Sequence, residues 1–160
     1  MNEQLMEIVR RSPLAVELSE AQCAVLSELV TSRRLQNDEI LIREGRIDNS
    51  LHVVVKGMLA VTKETGGGDW VHLHILKDGD LAGELGFLDG LEHSATLRSI
   101  GETEVLTLTR EGLEGLLETH PAVVYRVMRA IIRAVHSIVR RMNTQYVELT
   151  NYITKQHGRY

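Results

Sequence analysis

The chain is poor in cysteine, proline and aromatic side chains, and each shortage removes a class of explanation. A single cysteine, Cys23, among 160 residues excludes an intrachain disulfide. The fold must be held by burial, and a reduced, cytoplasmic setting is the expectation. One Phe and one Trp leave little surface for stacking nucleic-acid bases. No apolar run approaches the ~18 residues of a membrane span. The N-terminus "MNEQLMEIVRRSPLAVELSE" lacks the apolar centre of a signal peptide. No serine or cysteine sits in a recognisable base-and-orienter pattern, so no enzyme is expected.

What is present is a hydrophobic fraction of 43%, enough to bury the core of one domain. Charge is unevenly spread. Residues 1–120 carry 11 Lys and Arg against 21 Asp and Glu, whereas residues 121–160 carry 7 against 1. An acidic body is joined to a basic segment.

The texture changes twice. Residues 1–36 read as short helices, opened by the capping box "SEAQ" from Ser19 to Gln22. From Ile40 to Thr109 come short β-branched runs, "ILIR", "LHVVV", "MLAVTK", "WVHLHIL", "ATLRSI" and "EVLTLT", broken by Gly and Asp. Such spacing predicts an antiparallel sandwich or barrel, with a hairpin tip at Thr65–Asp69. After a short helix in "REGLEGLLETH", Pro121 opens a helix that meets no further Pro or Gly until Gly158. The architecture is mainly β with flanking helices, in two units: residues 1–120, and a long helix over 121–160.

That helix carries a heptad seam: Val124, Met128, Ile131, Val135, Ile138, Met142, Gln145, Leu149 and Tyr152. Alternating fours and threes favour a coiled-coil partner, so a homodimer through residues 121–155 is expected. Arg126, Arg129, Arg133 and Arg140 lie opposite and read as a solvated face leaning on the acidic body. No direct DNA binding is expected, because no helical pair follows the long helix.

The segment "GELGFLDGLEHSATLRS", Gly83 to Ser99, carries the chemistry. Gly83 and Gly86 let backbone approach a ligand, a helical turn there offers free amides to an anion, and Ser94 with the Ala95 amide extends the cradle. Glu84 is unsuited to a phosphate but suited to a sugar hydroxyl. Arg98 has the opposite strand parity to His93 and is expected to face away.

Taken in order, "ILIREGRIDNSLHVVVKGMLAV", "LKDGDLAGELGFLDG", "HSATL" and "LTREGLEGLLETHP" with the long helix resemble the cyclic-nucleotide-binding domain family, over roughly residues 14 to 145. The likeness is to the sensor domain of bacterial catabolite-activator-type regulators, without the DNA-binding domain. It implies an eight-stranded jelly roll (a double-stranded β-helix) and cyclic AMP or cyclic GMP as ligand, with no metal. It implies a regulatory role with output through another protein. By the same resemblance the cassette is Gly83, Glu84, Leu85 and Gly86 with His93, Ser94 and Ala95. Glu84 takes the ribose 2′-hydroxyl, and the amides of Gly83 to Leu85, with Ser94 and Ala95, take the phosphate. The purine lies near Val71 or Leu73 under a cap from Asn143, Thr144 and Tyr146. One position departs: where the family has an arginine paired with the phosphate, this chain has His93.

A pocket too degenerate to bind, serving a dimeric interaction module, is the alternative. A more distant one is a cupin-like metal enzyme using His72 and His74 on one strand face with Asp78, a donor set suited to Fe, Mn or Zn. Against it, the expected glycine falls one place late at Gly86 and the second cupin motif is missing.

Overall fold

The computed structural model describes residues 2–157; the last three residues of the expected 121–160 unit lie outside them. Helix α1 (Glu3–Arg11) is capped by Asn2, whose side-chain oxygen accepts from the Gln4 and Leu5 amides. A 3-10 turn at Pro13–Ala15 leads to α2 (Glu20–Ser27), where Ser19 and Gln22 form the expected capping box. The helical reading of residues 1–36 fails after Ser27. Residues Val30–Leu35 form strand β1, because each pairs with a residue of a later strand, Val30 opposite Leu108 through Leu35 opposite Thr103. Long-range pairing overrides a local helical spacing.

Strands β2 (Ile40–Ile42), β3 (Ser50–Glu64), β4 (Trp70–Leu76) and β5 (Leu81–Ala82) follow, then the short helix α3 (Glu84–Asp89), strand β6 (Thr96–Thr109) and helices α4 (Arg110–Glu114) and α5 (Pro121–His157). The sheet runs β1-β6-β3-β4, with β2 also on β6 and β5 also on β3, and every pairing is antiparallel. Among the described residues there are six strands where the resemblance implied eight. β3 and β6 are 15 and 14 residues long and each absorbs two of the short runs. Their shared ladder shifts register at Val54/Lys56 and again at Lys56/Met58, and such bulges bend a strand without ending it. Gly57 sits in this bend at φ 111°, where a Cβ would stand 2.8 Å from the Glu102 carbonyl oxygen.

Two apolar clusters result. One joins α1, α2 and the start of α5 to Leu51, Val53, Leu106 and Leu108. The other lies inside the roll around Leu35, Leu59, Leu76 and Val105. α5 enters the first through Val123, Val127 and Ile131. Its arginines lean on the body: Arg126 donates to Gln22 (2.6 Å), and Arg129 and Arg133 both pair with Glu17 (3.0 and 3.2 Å).

The expected heptad seam is divided between two faces. Val124 and Ile131 pack on the body, while Ile138 and Gln145 line a cavity between α5 and the roll. The outward stripe instead runs Tyr125, Ile132, Val139 and Tyr146, joined toward its end by Met142 and Leu149, whereas Met128 and Val135 are partly buried against the body. Val124, Ile131, Ile138 and Gln145, four of the nine expected positions, therefore give way to the residue after each. An α-helix drifts by ~20° per heptad against a 3.5-residue repeat, so two adjacent apolar stripes read almost alike in sequence.

His52 is buried on β3, with Nδ1 2.8 Å from the Thr107 hydroxyl. Burial holds its pKa down to about 4 from an ordinary 6.5. Between those values the unfolded chain binds a proton that the folded chain refuses, so stability falls as pH drops through this window. The loss expected is up to about 3 kcal/mol. Urea unfolding at about pH 7 and about pH 4.5 measures it, and His52→Gln, which cannot titrate, should flatten the difference.

Candidate functional site

A cavity of about 580 Å³ opens between the roll and α5. Its floor is apolar: Ile42, Val61, Leu76, Leu81 and Leu97. One wall is the turn that starts α3. Gly83 adopts φ 75° as the N-cap, and the first intrahelical bond runs from the Phe87 amide to the Gly83 carbonyl (3.0 Å). The amides of Leu85 and Gly86 are first-turn donors without an intrahelical partner, while the Glu84 amide donates to its own carboxylate. Glu84 is half-buried beside them. Burial pushes its carboxyl above the usual carboxylate range, with its own amide and His93 pulling the other way.

The second half of the cassette stands against this turn. His93 is held at both backbone ends: its amide donates to the Arg46 carbonyl (2.9 Å), and its carbonyl accepts from Gly45 (2.8 Å). Its ring lies on Gly86, where a Cβ would stand 2.6 Å from Cε1. Only glycine leaves room for the imidazole there. The ring's Nε2 is 3.2 Å from the Asp48 carbonyl oxygen. A carbonyl only accepts, so Nε2 carries the hydrogen, and in the neutral ring Nδ1 is a bare acceptor. The ordinary donor that a neutral His93 has to offer is thus already used inside the protein.

Of the residues singled out in the sequence, Leu73, Gly83, Glu84, Leu85, Gly86, His93, Ser94 and Ala95 line this one cavity. Val71 does not; it pairs with Lys63 near the hairpin tip and is exposed. Asn143, Thr144 and Tyr146 do not either. The face of α5 over the cavity is Ile138, Arg141, Met142 and Gln145, spaced three, four and seven along one side of a helix. Thr144 turns back to donate to the Arg140 carbonyl (3.1 Å), and Tyr146 is 71% exposed. The expected cap consisted of sequence neighbours, whereas a helix presents a periodic set.

The paired-histidine reading fails on geometry. The β3–β4 register steps from Val61 opposite His74 to Thr62 opposite His72. Leu73 is the extra residue, and a bulge of this kind puts the flanking side chains on opposite faces. His72 stacks on Trp70 with centroids 5.5 Å apart, and Arg98 lies over the same indole at 4.5 Å. His74 instead lines the cavity. Its Nε2 is buried without a hydrogen-bond partner, and burial, then the charge of Arg141, hold its imidazole below the ordinary value. Asp78 accepts from the Gly57 amide (2.9 Å) and fixes a turn. Among the described residues no group of three His, Cys, Asp or Glu is placed to hold a metal.

Several contributors had no signal of their own in the sequence. Asp89 and Glu92 add carboxylates to the lining. Lys63 reaches the Ser94 carbonyl (2.8 Å) while paired with Glu44 (3.0 Å). Lys63 and Glu44 lie far from the cassette in sequence, so only the strand register reveals them.

Comparison with known proteins agrees with this geometry. The cyclic nucleotide-binding domain description matches residues 32–120, more than half of the chain. The cAMP-activated global transcriptional regulator CRP of Salmonella typhimurium is 28% identical over 117 residues, covering 72% of this chain and 56% of the relative. The cAMP-dependent protein kinase regulatory subunit of Dictyostelium discoideum is 29% identical over 89 residues, covering 54% of this chain and 27% of the relative. The chain therefore spans only about a quarter to just over half of these curated relatives. A cyclic nucleotide-binding domain from Methylobacillus flagellatus shares the fold at a TM-score of 0.79 and 21% identity, over 91% of this chain and 82% of that one. With the jelly roll, the Gly83–Gly86 turn and the His93–Ala95 segment meeting on one cavity, the chain belongs to the cyclic nucleotide-binding domain family.

Proposed function

We propose that this protein is a homodimeric cytoplasmic sensor that binds cyclic AMP or cyclic GMP in the α3 cavity and acts on another protein through α5, without catalysis. In this reading residues 1–120 are the sensing unit and 121–160 the dimerisation unit. The observation that supports it best is the convergence of three separate segments, Gly83–Gly86, His93–Ala95 and the Ile138–Gln145 face of α5, on one cavity. Its volume falls in the usual ~300–1,000 Å³ range of small-ligand sites. Glu84 accepts the ribose hydroxyl, the first amides of α3 and Ala95 face the phosphate, and Leu73, Ile138 and Met142 enclose the base. Because the ligand touches both the roll and α5, it favours whichever position of α5 closes the cavity.

The outward stripe of α5 supports the dimer. It is continuous with Met142, which also lines the cavity, so helix pairing and ligand enclosure share a residue.

Thermal unfolding with millimolar cyclic AMP or cyclic GMP at about pH 6 tests the ligand. A ligand that prefers the folded state raises Tm. No shift with either would overturn the sensor and leave a dimeric interaction module with an inert pocket. Glu84→Gln separates function from stability. Because burial raises the folded pKa of Glu84, its ionised form is destabilising at neutral pH, a penalty that disappears as pH falls. The amide variant should melt a few degrees higher without ligand and bind nucleotide at least about tenfold more weakly.

A further inference from the structure

The Ser94–Ala95 peptide is gripped by a side chain from another element. Lys63, near the end of β3, places Nζ 2.8 Å from the Ser94 carbonyl oxygen and 3.0 Å from Oε1 of Glu44. Glu44 is itself fixed: its other carboxylate oxygen accepts from the Glu64 amide (3.2 Å), and its own amide donates to the Thr96 hydroxyl (3.0 Å). The Thr62 hydroxyl donates to the Thr96 carbonyl (3.0 Å). Ser94 and Thr96 are thus tied to β3 and to the loop after β2 before any ligand arrives. Ser94 and Ala95 line the cavity, while Lys63 stands outside its lining. The Ala95 amide, one residue ahead of β6, has no acceptor among the described residues. No peptide bond of the described residues is cis, and in a trans peptide the carbonyl and the following N–H point in opposite directions. A cation seated on the Ser94 carbonyl therefore leaves the Ala95 amide facing away from Lys63.

We infer that Lys63, steadied by Glu44, is a positioning residue for the ligand's anion: it holds the Ser94 carbonyl outward so that the Ala95 amide is presented to the cyclic phosphate. The inference rests on the cavity being a cyclic-nucleotide site, as proposed above, and adds a residue that touches no ligand. A charged donor on one end of a peptide polarises it, so the N–H at the other end donates more strongly. Lys63 and the phosphate occupy opposite ends of that peptide, and the cation acts through it rather than by contact. Because Glu44 already holds the lysine in place, binding does not have to order it.

Calorimetric titration of the wild type, Lys63→Met and Lys63→Arg with cyclic AMP and cyclic GMP tests this, beside the NMR resonances of the Ser94 carbonyl carbon and the Ala95 amide nitrogen without ligand. Lys63→Met keeps the apolar stem of a half-exposed side chain and should keep the wild-type urea midpoint. Both resonances should move upfield as the carbonyl loses its charged donor, and affinity should fall by about tenfold. Lys63→Arg, which still carries a cation to the carbonyl, should restore both resonances and most of the affinity. Lys63→Gln, shorter and uncharged, should lose as much as Lys63→Met, so the outcome does not hang on one variant. Wild-type binding that Lys63→Met and Lys63→Gln leave unchanged would overturn the inference and leave the sensor reading standing. An equal loss in Lys63→Arg and Lys63→Met, with the two resonances unmoved, would also overturn it, since packing alone would then account for the loss. No binding of either nucleotide by the wild type would overturn both the inference and the sensor reading.

Discussion

His93→Arg should tighten cyclic-nucleotide binding by about tenfold to a hundredfold at about pH 8, and by much less at about pH 6. The magnitude is that of a charged hydrogen bond, ~1.5–3 kcal/mol. Its pH dependence follows from the contact between Nε2 and the Asp48 carbonyl. With that donor committed, only the imidazolium has a second N–H for a phosphate oxygen, and imidazoles are generally neutral at about pH 8. Binding through His93 therefore takes up a proton. Wild-type affinity is therefore expected to rise as pH falls. The other titratable groups facing the ligand bound this trend. Glu84 must stay ionised to accept a sugar hydroxyl, and burial makes it protonate at higher pH than most carboxylates, which bends the profile over at the acid end. Asp89 and Glu92 also line the cavity and repel the anion. His74 and Arg141 lie on the β4–α5 side and act less on the phosphate. Titration of both proteins with cyclic AMP and cyclic GMP across this range measures the effect. A flat wild-type profile, parallel to that of His93→Arg, would remove His93 from the phosphate contact.

The second large effect concerns two neighbouring isoleucines on α5. Ile132 is 59% exposed and Val139 48%, whereas Ile131 is fully buried against the body. Ile132→Glu with Val139→Glu should leave the roll folded but place a cluster of like charges across a helix–helix interface. The dissociation constant of the dimer should rise by at least about a hundredfold, since burying unpaired charge costs several kcal/mol. Ile131→Ala should do the reverse. It leaves the seam intact and destabilises the body by about 2–5 kcal/mol. Sedimentation velocity of the wild type and both variants, beside their urea midpoints, separates association from folding. A wild type that sediments as a monomer at high concentration, or a double glutamate variant that still dimerises, would rule out this seam.

Local sequence determined what depends on neighbours along the chain. The Ser19–Gln22 capping box and the start of α5 at Pro121 stand where residue type and spacing put them, because both are set by contacts within one turn. Gly83, Gly86 and His93–Ala95 reach one cavity because their motif occupies a short span between two strands. Short β-branched runs marked the roll for the same reason.

Tertiary structure decided whatever needed a partner from far away. β1 is a strand only because β6 lies beside it, and the β3–β6 ladder turned four short runs into two long strands. The single extra residue Leu73 rotated His74 into the cavity and left His72 outside, a change of face that alternation in one strand cannot disclose. Which stripe of α5 meets the body depended on how α1 and α2 pack, since the two candidate stripes differ by one residue. The direction in which His93 donates was set by the Asp48 carbonyl, 45 residues earlier. A side chain's hydrogen-bonding capacity is written in its residue type, but how much of it remains for a ligand is decided by what the fold places beside it.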